Sequence, residues 1–137
     1  MELISKKVSI QSSDRAIFDM LINCNNIGKY IPADKIQNWQ STENNCSFSV
    51  EGAGKIEIEI QEKIPYNSVS YSMGNKMIKA AFVVFSICKT DENVCELTAT
   101  TNIDAPFFIT QMIKPSMQRF ADMLVDYIKI AAEQNLS

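Results

Sequence analysis

Few residues of this chain are suited to chemistry, and the residue type most often used for it is absent. None of the 137 residues is a histidine, which excludes the usual general base near neutral pH, the Ser-His and Cys-His nucleophile pairs and the commonest zinc ligand. Tyrosine, lysine or carboxylate chemistry stays open, but it requires a cluster of side chains that a linear sequence does not display. The glycines fit no phosphate-binding loop; they are Gly28, Gly52, Gly54 and Gly74.

The thiols are the next candidates, and their spacing is not that of a redox motif. No two of them form a CxxC pair; they are Cys24, Cys46, Cys88 and Cys95. The first residues contain no apolar run of signal-peptide length, and the longest apolar run, residues 80–85, is far shorter than the roughly 20 residues that span a bilayer. We therefore expect a cytoplasmic protein with reduced thiols and no disulfide.

The composition predicts one globular domain over residues 1–137. The apolar fraction is 46% and the charged fraction 21%, which is ordinary for a folded domain. With 13 basic and 16 acidic residues the net charge is −3, which is too small and of the wrong sign to attract a phosphate backbone. Nucleic acid is therefore excluded as an expected partner, and no cofactor or metal ion is predicted.

The elements that must position any site begin with a strand and two short helices. Alternation predicts a strand over residues 3–10, interrupted by Lys6, with inward Ile4, Val8 and Ile10. Ser12 or Ser13 caps a first helix that ends at Asn25-Asn26 and carries Ile17, Met20, Leu21 and Cys24 at helical spacing. A second helix is predicted over residues 27–30, before Pro32.

The only tryptophan lies in the first predicted hairpin. If Asn44-Asn45 forms its turn, Ser41 lies opposite Phe48, and Trp39 shares a face with Phe48 and Val50. The alternative places Trp39 on the outer surface or against the short helices. Two clear alternations follow around a turn at residues 65–67, with inward Ile56, Ile58 and Ile60 and then Val69, Tyr71 and Met73.

Residues 80–88 are apolar in both phases, so the hairpin that follows must orient them. A three-residue loop over residues 91–93, with Asn93 left-handed, pairs Ile87 with Leu97 and Phe85 with Ala99. This register turns Val83, Phe85 and Ile87 inward, Cys88 outward and Cys95 inward; a two-residue turn would reverse the orientation of the two thiols.

The chain is predicted to end in a long helix from Pro106 to about Gln134, with a kink or a new start at Pro115. Its predicted inward stripe is Met117, Phe120, Leu124, Tyr127 and Ala131, with Ile113 before the proline.

This order of elements resembles the START-like or helix-grip superfamily, also called SRPBCC, over nearly the whole chain. The local resemblance is sharpest in NCNNIGKYIPADKIQNWQSTENNCSFSVEGAGKI and KPSMQRFADML, which look like a bacterial branch without assigned chemistry. The resemblance implies an α+β helix-grip fold, in which a curved seven-stranded antiparallel sheet wraps the terminal helix. It also implies a cavity for a lipid, a sterol, a polyketide or another small apolar molecule.

The resemblance makes ten residues candidate walls of that cavity: Trp39, Phe48, Ile58, Tyr71, Val83, Phe85, Leu97, Met117, Phe120 and Leu124. The leading hypothesis is binding or carriage of a small apolar ligand. One alternative is a cyclase-like or dehydratase-like enzyme in which Tyr71 and a carboxylate or Thr101 transfer protons. Another is a protein-interaction module whose interior is filled by its own side chains.

Overall fold

The computed structural model of the chain describes residues 1–30, 34, 36–50, 54–75 and 78–134. Its strands are β1 (Glu2–Ile4), β2 (Val8–Ile10), β3 (Gln37–Ser41), β4 (Asn45–Val50), β5 (Gly54–Ile64), β6 (Ser68–Asn75), β7 (Ile78–Asp91) and β8 (Val94–Asp104). Its helices are α1 (Asp14–Leu21), a 3₁₀ helix (Cys24–Asn26), α2 (Ile27–Tyr30) and α3 (Phe107–Gln134).

The strands form one open antiparallel sheet in the order β1-β8-β7-β6-β5-β4-β3, and β2 also pairs with β8. Helix α3 packs along β1, β2 and β8 and against α1 and α2. The predicted α+β helix-grip architecture is confirmed, with eight described strands instead of seven because the opening strand is divided.

That division corrects the predicted orientation of Ile4. Ile4 pairs with Thr100, and Val8 pairs with Leu97. The three residues 5–7 therefore lie opposite only two residues of β8, 98–99, as in a β-bulge. The bulge reverses the phase, so Leu3 is buried while the side chain of Ile4 is 57% exposed. Val8 and Ile10 are buried, as predicted.

The β3–β4 turn also differs from its prediction. Ser41 pairs with Cys46, and the Thr42 N–H donates to the Asn45 carbonyl over 2.8 Å, so the turn is centred on Glu43-Asn44. The Thr42 hydroxyl favours this closure because it accepts from the Asn45 N–H over 3.3 Å. The prediction that Ser41 lies opposite Phe48 is wrong, and the side chain of Val50 lies outside the described residues.

The predicted β7–β8 register is confirmed, although another irregularity produces it. Ile87 pairs with Leu97 and Phe85 with Ala99, which leaves Cys88 exposed and Cys95 buried. The closing turn has two residues between paired Asp91 and Val94, and a register shift between Lys89 and Asp91 supplies the extra residue. Among the described residues other than glycine, only Asn38 and Tyr66 have positive φ, so the predicted left-handed Asn93 is wrong.

The short helices follow their local signals closely. Ser13 caps α1, since its hydroxyl accepts from the Ala16 N–H over 3.1 Å. Helix α1 ends at Leu21, earlier than predicted, and Cys24 instead opens the 3₁₀ helix. Helix α2 has the predicted bounds, while Pro32 lies outside the described residues.

Helix α3 is continuous through Pro115, so the predicted new start is wrong. Its most buried stripe is Ala121, Val125, Ile128 and Ala132. The predicted stripe lies beside it and is half-buried: Ile113, Met117, Phe120, Leu124, Tyr127 and Ala131. Small side chains at positions 121 and 132 let the helix backbone approach the rest of the molecule, which moves the larger neighbours to the flank.

Candidate ligand-binding site

The inner face of the sheet brings together most of the predicted wall residues. Its strands alternate, so the apolar positions of neighbouring strands lie side by side. Five of the predicted residues are buried in one apolar cluster: Phe48, Tyr71, Val83, Phe85 and Leu97. Trp39, Ile58 and Leu124 pack against it and are half-buried. Met117 and Phe120 are half-buried but do not belong to this cluster.

Two aromatic pairs fix side chains within the cluster. The rings of Tyr71 and Phe85 meet edge to face, with centroids 5.6 Å apart and planes at 87°. The rings of Trp39 and Phe48 are stacked, with centroids 5.7 Å apart and planes at 25°. Such pairs add specific geometry to the burial of apolar area, so the predicted proximity of Trp39 and Phe48 holds although the predicted register does not.

A glycine of α2 lies directly against the indole of Trp39. A Cβ atom placed on Gly28 would be 2.9 Å from Cε2 and 3.0 Å from Cζ2 of Trp39, which is closer than carbon atoms normally approach. The indole therefore lies between Phe48 and α2. Trp39 thus combines the predicted contact with Phe48 and the alternative contact with the short helices.

The hydroxyl of Tyr71 is engaged inside the protein. It donates a hydrogen bond to the carbonyl oxygen of Leu21, the last residue of α1. The carbonyls at the end of a helix lack partners within the helix, so Tyr71 ties the end of α1 to β6. This contact gives Tyr71 a structural role that the sequence did not reveal.

The interior is tightly packed at one side and looser at the other. On β7 and β8 the inward side chains Val83, Phe85, Ile87 and Leu97 are buried. On β3 and β5, and on the middle of α3, large apolar side chains are half-buried: Trp39, Ile56, Ile58, Ile60, Met117, Phe120 and Leu124. Because α3 packs along β1, β2 and β8, the loosely packed side is the one farther from its line of contact.

Polar groups are scarce among the buried side chains of the described ranges. The buried polar residues there are Ser5, Ser12, Thr101 and Thr110, and no carboxylate is among them. Within the same ranges every buried side-chain nitrogen or oxygen has a hydrogen-bond partner. No group of three or more potential metal ligands occurs in the part of the chain that the structure describes. Burial raises the pKa of Cys95 to about 11, which keeps this thiol protonated.

A groove of about 670 Å³ crosses β3 to β6. Its lining includes Gln40, Ser47, Glu57, Glu59 and Ser72, and Ile58 is the one predicted wall residue that reaches it. Ser47 pairs with Glu57 and Ser72 with Glu59 on the polar face of the sheet. The groove also touches the edge of the apolar cluster, through Cys46, Ile58 and Met73.

Sequence reasoning missed the close packing of Gly28 and the buried stripe of α3. Two helical stripes are compatible with the apolar pairs Leu124-Val125, Tyr127-Ile128 and Ala131-Ala132, and the size of the side chains favours the stripe with Leu124 and Tyr127. The smaller residues at positions 121 and 132 were the available signal, because close helix packing favours them.

The arrangement matches solved structures closely although the sequences are distant. A START superfamily protein from Mycobacterium smegmatis is 11% identical, with a TM-score of 0.73 over 97% of both chains. A point mutant of Thalictrum flavum norcoclaurine synthase in complex with a transition-state analogue is 8% identical, with a TM-score of 0.78 over 100% of this chain and 98% of that chain. The chain has the START-like, helix-grip fold.

A third START-like match is norcoclaurine synthase from the same plant in complex with dopamine and hydroxybenzaldehyde. It is 9% identical, with a TM-score of 0.72 over 96% of this chain and 86% of that chain. The sequence itself matches no protein-family model and no curated protein. At such identities the comparisons establish the fold alone. Within the described ranges, no helix has both the length and the apolar character needed to cross a membrane.

Proposed function

We propose that this chain binds and carries a small apolar molecule between the inner face of β3 to β6 and the middle of α3. The observation that carries the proposal is the half-buried group of large apolar side chains on this side of the interior. Next to this group, the inward side chains Cys46 and Phe48 of β4 and Val69 and Tyr71 of β6 are buried, as are those of β7 and β8. Ligand sites in proteins are typically concave and mainly apolar, with few polar groups.

The chemistry of the proposed site favours an uncharged ligand. The side chains that line it are aliphatic, aromatic or thioether groups. The charged residues of β5 are all exposed: Lys55, Glu57, Glu59, Glu62 and Lys63. A charged ligand would lose its hydration without gaining a partner. The START-like fold agrees with the binding of a small molecule as such, since the norcoclaurine synthase structure holds two small aromatic compounds, dopamine and hydroxybenzaldehyde.

Catalysis is not part of the proposal. Proton transfer by Tyr71 would require its hydroxyl to be available, but this group donates to the Leu21 carbonyl. No carboxylate is buried among the described side chains, whereas Thr101, the other partner considered for a cyclase-like or dehydratase-like mechanism, is buried. The cytoplasm stays the predicted compartment, on the sequence argument alone.

A fluorescence titration tests the proposal with Trp39 as its reporter. Trp39 is the only tryptophan, and it lies at the loosely packed side of the interior. Titration with a polyaromatic probe and with a fatty acid should change its emission saturably. Binding of either compound, demonstrated independently by calorimetry, without a change in emission would remove Trp39 from the site. Absence of saturable binding to both would contradict the proposal.

Two phenylalanines of opposite location provide a matched control. Phe120→Ala enlarges the proposed site and should change the relative affinities for small and large probes. Phe82→Ala removes an equal volume from a side chain that is 48% exposed on the other face of the sheet and should leave these affinities unchanged. Equal effects of both substitutions would contradict the proposed location.

A further inference from the structure

Cys24 and Cys46 are distant in sequence but are held together by hydrogen bonds on both sides. Cys24 opens the 3₁₀ helix, and its N–H donates to the carbonyl of Glu43 in the β3–β4 turn over 2.8 Å. The next residue, Asn25, accepts a 2.6 Å hydrogen bond at Oδ1 from the hydroxyl of Ser41, and Ser41 is the cross-strand partner of Cys46.

The two side chains are buried in the apolar cluster, with exposures of 0% for Cys24 and 3% for Cys46. The side-chain interaction with Cys46, with help from the charge of Lys63, lowers the pKa of Cys24 against the opposing effect of burial. The interaction with Cys24, together with burial, raises the pKa of Cys46. Of the two thiols, Cys24 is therefore the one that loses its proton more readily and the better nucleophile.

We propose that Cys24 and Cys46 form a reversible disulfide when the folded protein meets a small peroxide. The thiolate of Cys24 attacks one oxygen of hydrogen peroxide, which breaks the O–O bond and gives a sulfenic acid and hydroxide. The sulfur of Cys46 then displaces the hydroxyl group of the sulfenic acid, which leaves as water with the proton of the Cys46 thiol. Both sulfurs are oxidised, and one peroxide is reduced to water and hydroxide.

The remaining thiols do not compete for this partner. Cys88 is exposed and pairs with Glu96, whereas Cys95 is buried and pairs with Lys89, so these two lie on opposite faces of their hairpin. Burial also keeps Cys95 protonated, because its pKa is raised to about 11. Cys88 is accessible to other molecules and would add intermolecular disulfides to any measurement.

The disulfide would fasten the short helices to the sheet. Cys24 belongs to the 3₁₀ helix that continues into α2, and Gly28 of α2 covers the indole of Trp39. A covalent bond from Cys24 to β4 closes the chain between residues 24 and 46 and restricts the unfolded state. The oxidised protein should therefore melt at a higher temperature than the reduced protein.

The test uses the Cys88→Ser variant, so that three thiols remain. The folded, reduced protein is treated with hydrogen peroxide, the excess is removed, and thiols are counted in denaturant. The expected count falls from three to one and returns to three after dithiothreitol, and peptide mapping should find Cys24 linked to Cys46. A count that stays at three, a loss that dithiothreitol does not reverse, or a link that includes Cys95 would overturn the proposal.

Two further substitutions in the Cys88→Ser background distinguish a specific disulfide between Cys24 and Cys46 from non-specific oxidation of thiols. Cys95→Ser should leave the loss of two thiols intact, so that its count falls from two to zero. Cys46→Ser should form no intramolecular link, and any link found in it would overturn the assignment. If this variant does not fold, the peptide map of the Cys88→Ser protein decides the question alone.

Discussion

Gly28→Ala tests the packing of α2 on Trp39, which determines the position of the indole. The added Cβ would lie 2.9 Å from Cε2 of Trp39, whereas favourable carbon–carbon contacts are about 3.5–4.0 Å long. Relieving this contact is expected to cost about 1–3 kcal/mol, as other overpacked sites do. Alanine regains about 1 kcal/mol in a helix relative to glycine. The expected net loss of unfolding free energy is therefore about 1 kcal/mol.

Urea unfolding measures this loss, and the emission of Trp39 reports the displacement of the indole. Gly74→Ala is the matched control, because a Cβ there would meet nothing within 4 Å; it should stabilise the protein by about 0.5–1 kcal/mol. In a Trp39→Leu background, Gly28→Ala should no longer lower the free energy of unfolding, with unfolding followed by circular dichroism. A more stable Gly28→Ala protein with unchanged emission would refute the close approach.

Three further outcomes are expected. Tyr71→Phe should cost about 1–3 kcal/mol, because the buried carbonyl of Leu21 loses its donor; thermal unfolding with an unchanged midpoint would contradict this. The Gln11 N–H and the Lys129 ammonium lower the pKa of Glu133. The ionised Glu133 therefore stabilises the folded protein fully at pH values above its ordinary pKa of 4.5, and this stabilisation is lost as the pH falls through the lowered pKa. Glu133→Gln should accordingly lower the free energy of unfolding by less than about 1 kcal/mol at pH 7. A difference in unfolding free energy from the parent protein that persists at pH 2 would contradict this expectation. Protein kept reduced during purification should show four free thiols in denaturant, and a count of two would indicate a disulfide formed without added oxidant.

The sequence was most informative where a pattern has one interpretation. The alternation around Ile58, the cap at Ser13 and the bounds of α2 have local causes, and each agrees with the structure. The inward set of β7 was also predicted correctly, although a bulge instead of a left-handed residue produces the register. A bulge and a loop residue both add one position to a hairpin, so the pattern of apolar residues does not distinguish them.

The sequence was least informative where packing chooses between similar local options. Ile4 fits an alternating strand, but the bulge after it places Leu3 inside. Apolar residues at consecutive positions of α3 define two stripes, and contact with β2 and β8 selects the one with smaller side chains. Cys24 and Cys46 lie in different elements, and their contact arises only when the 3₁₀ helix packs on the β3–β4 hairpin. Such contacts depend on tertiary geometry, which spacing along the chain does not encode.

The central claim, that the START-like interior holds a small apolar molecule, is tested most directly by native mass spectrometry of freshly purified protein. Gentle ionisation should show the polypeptide together with a heavier species whose extra mass disappears on denaturation and is recovered in an organic extract. Protein stripped by that extraction should regain the heavier species when the extract is added back. A single bare polypeptide mass, unchanged after incubation with the polyaromatic probe and with the fatty acid, would contradict the claim.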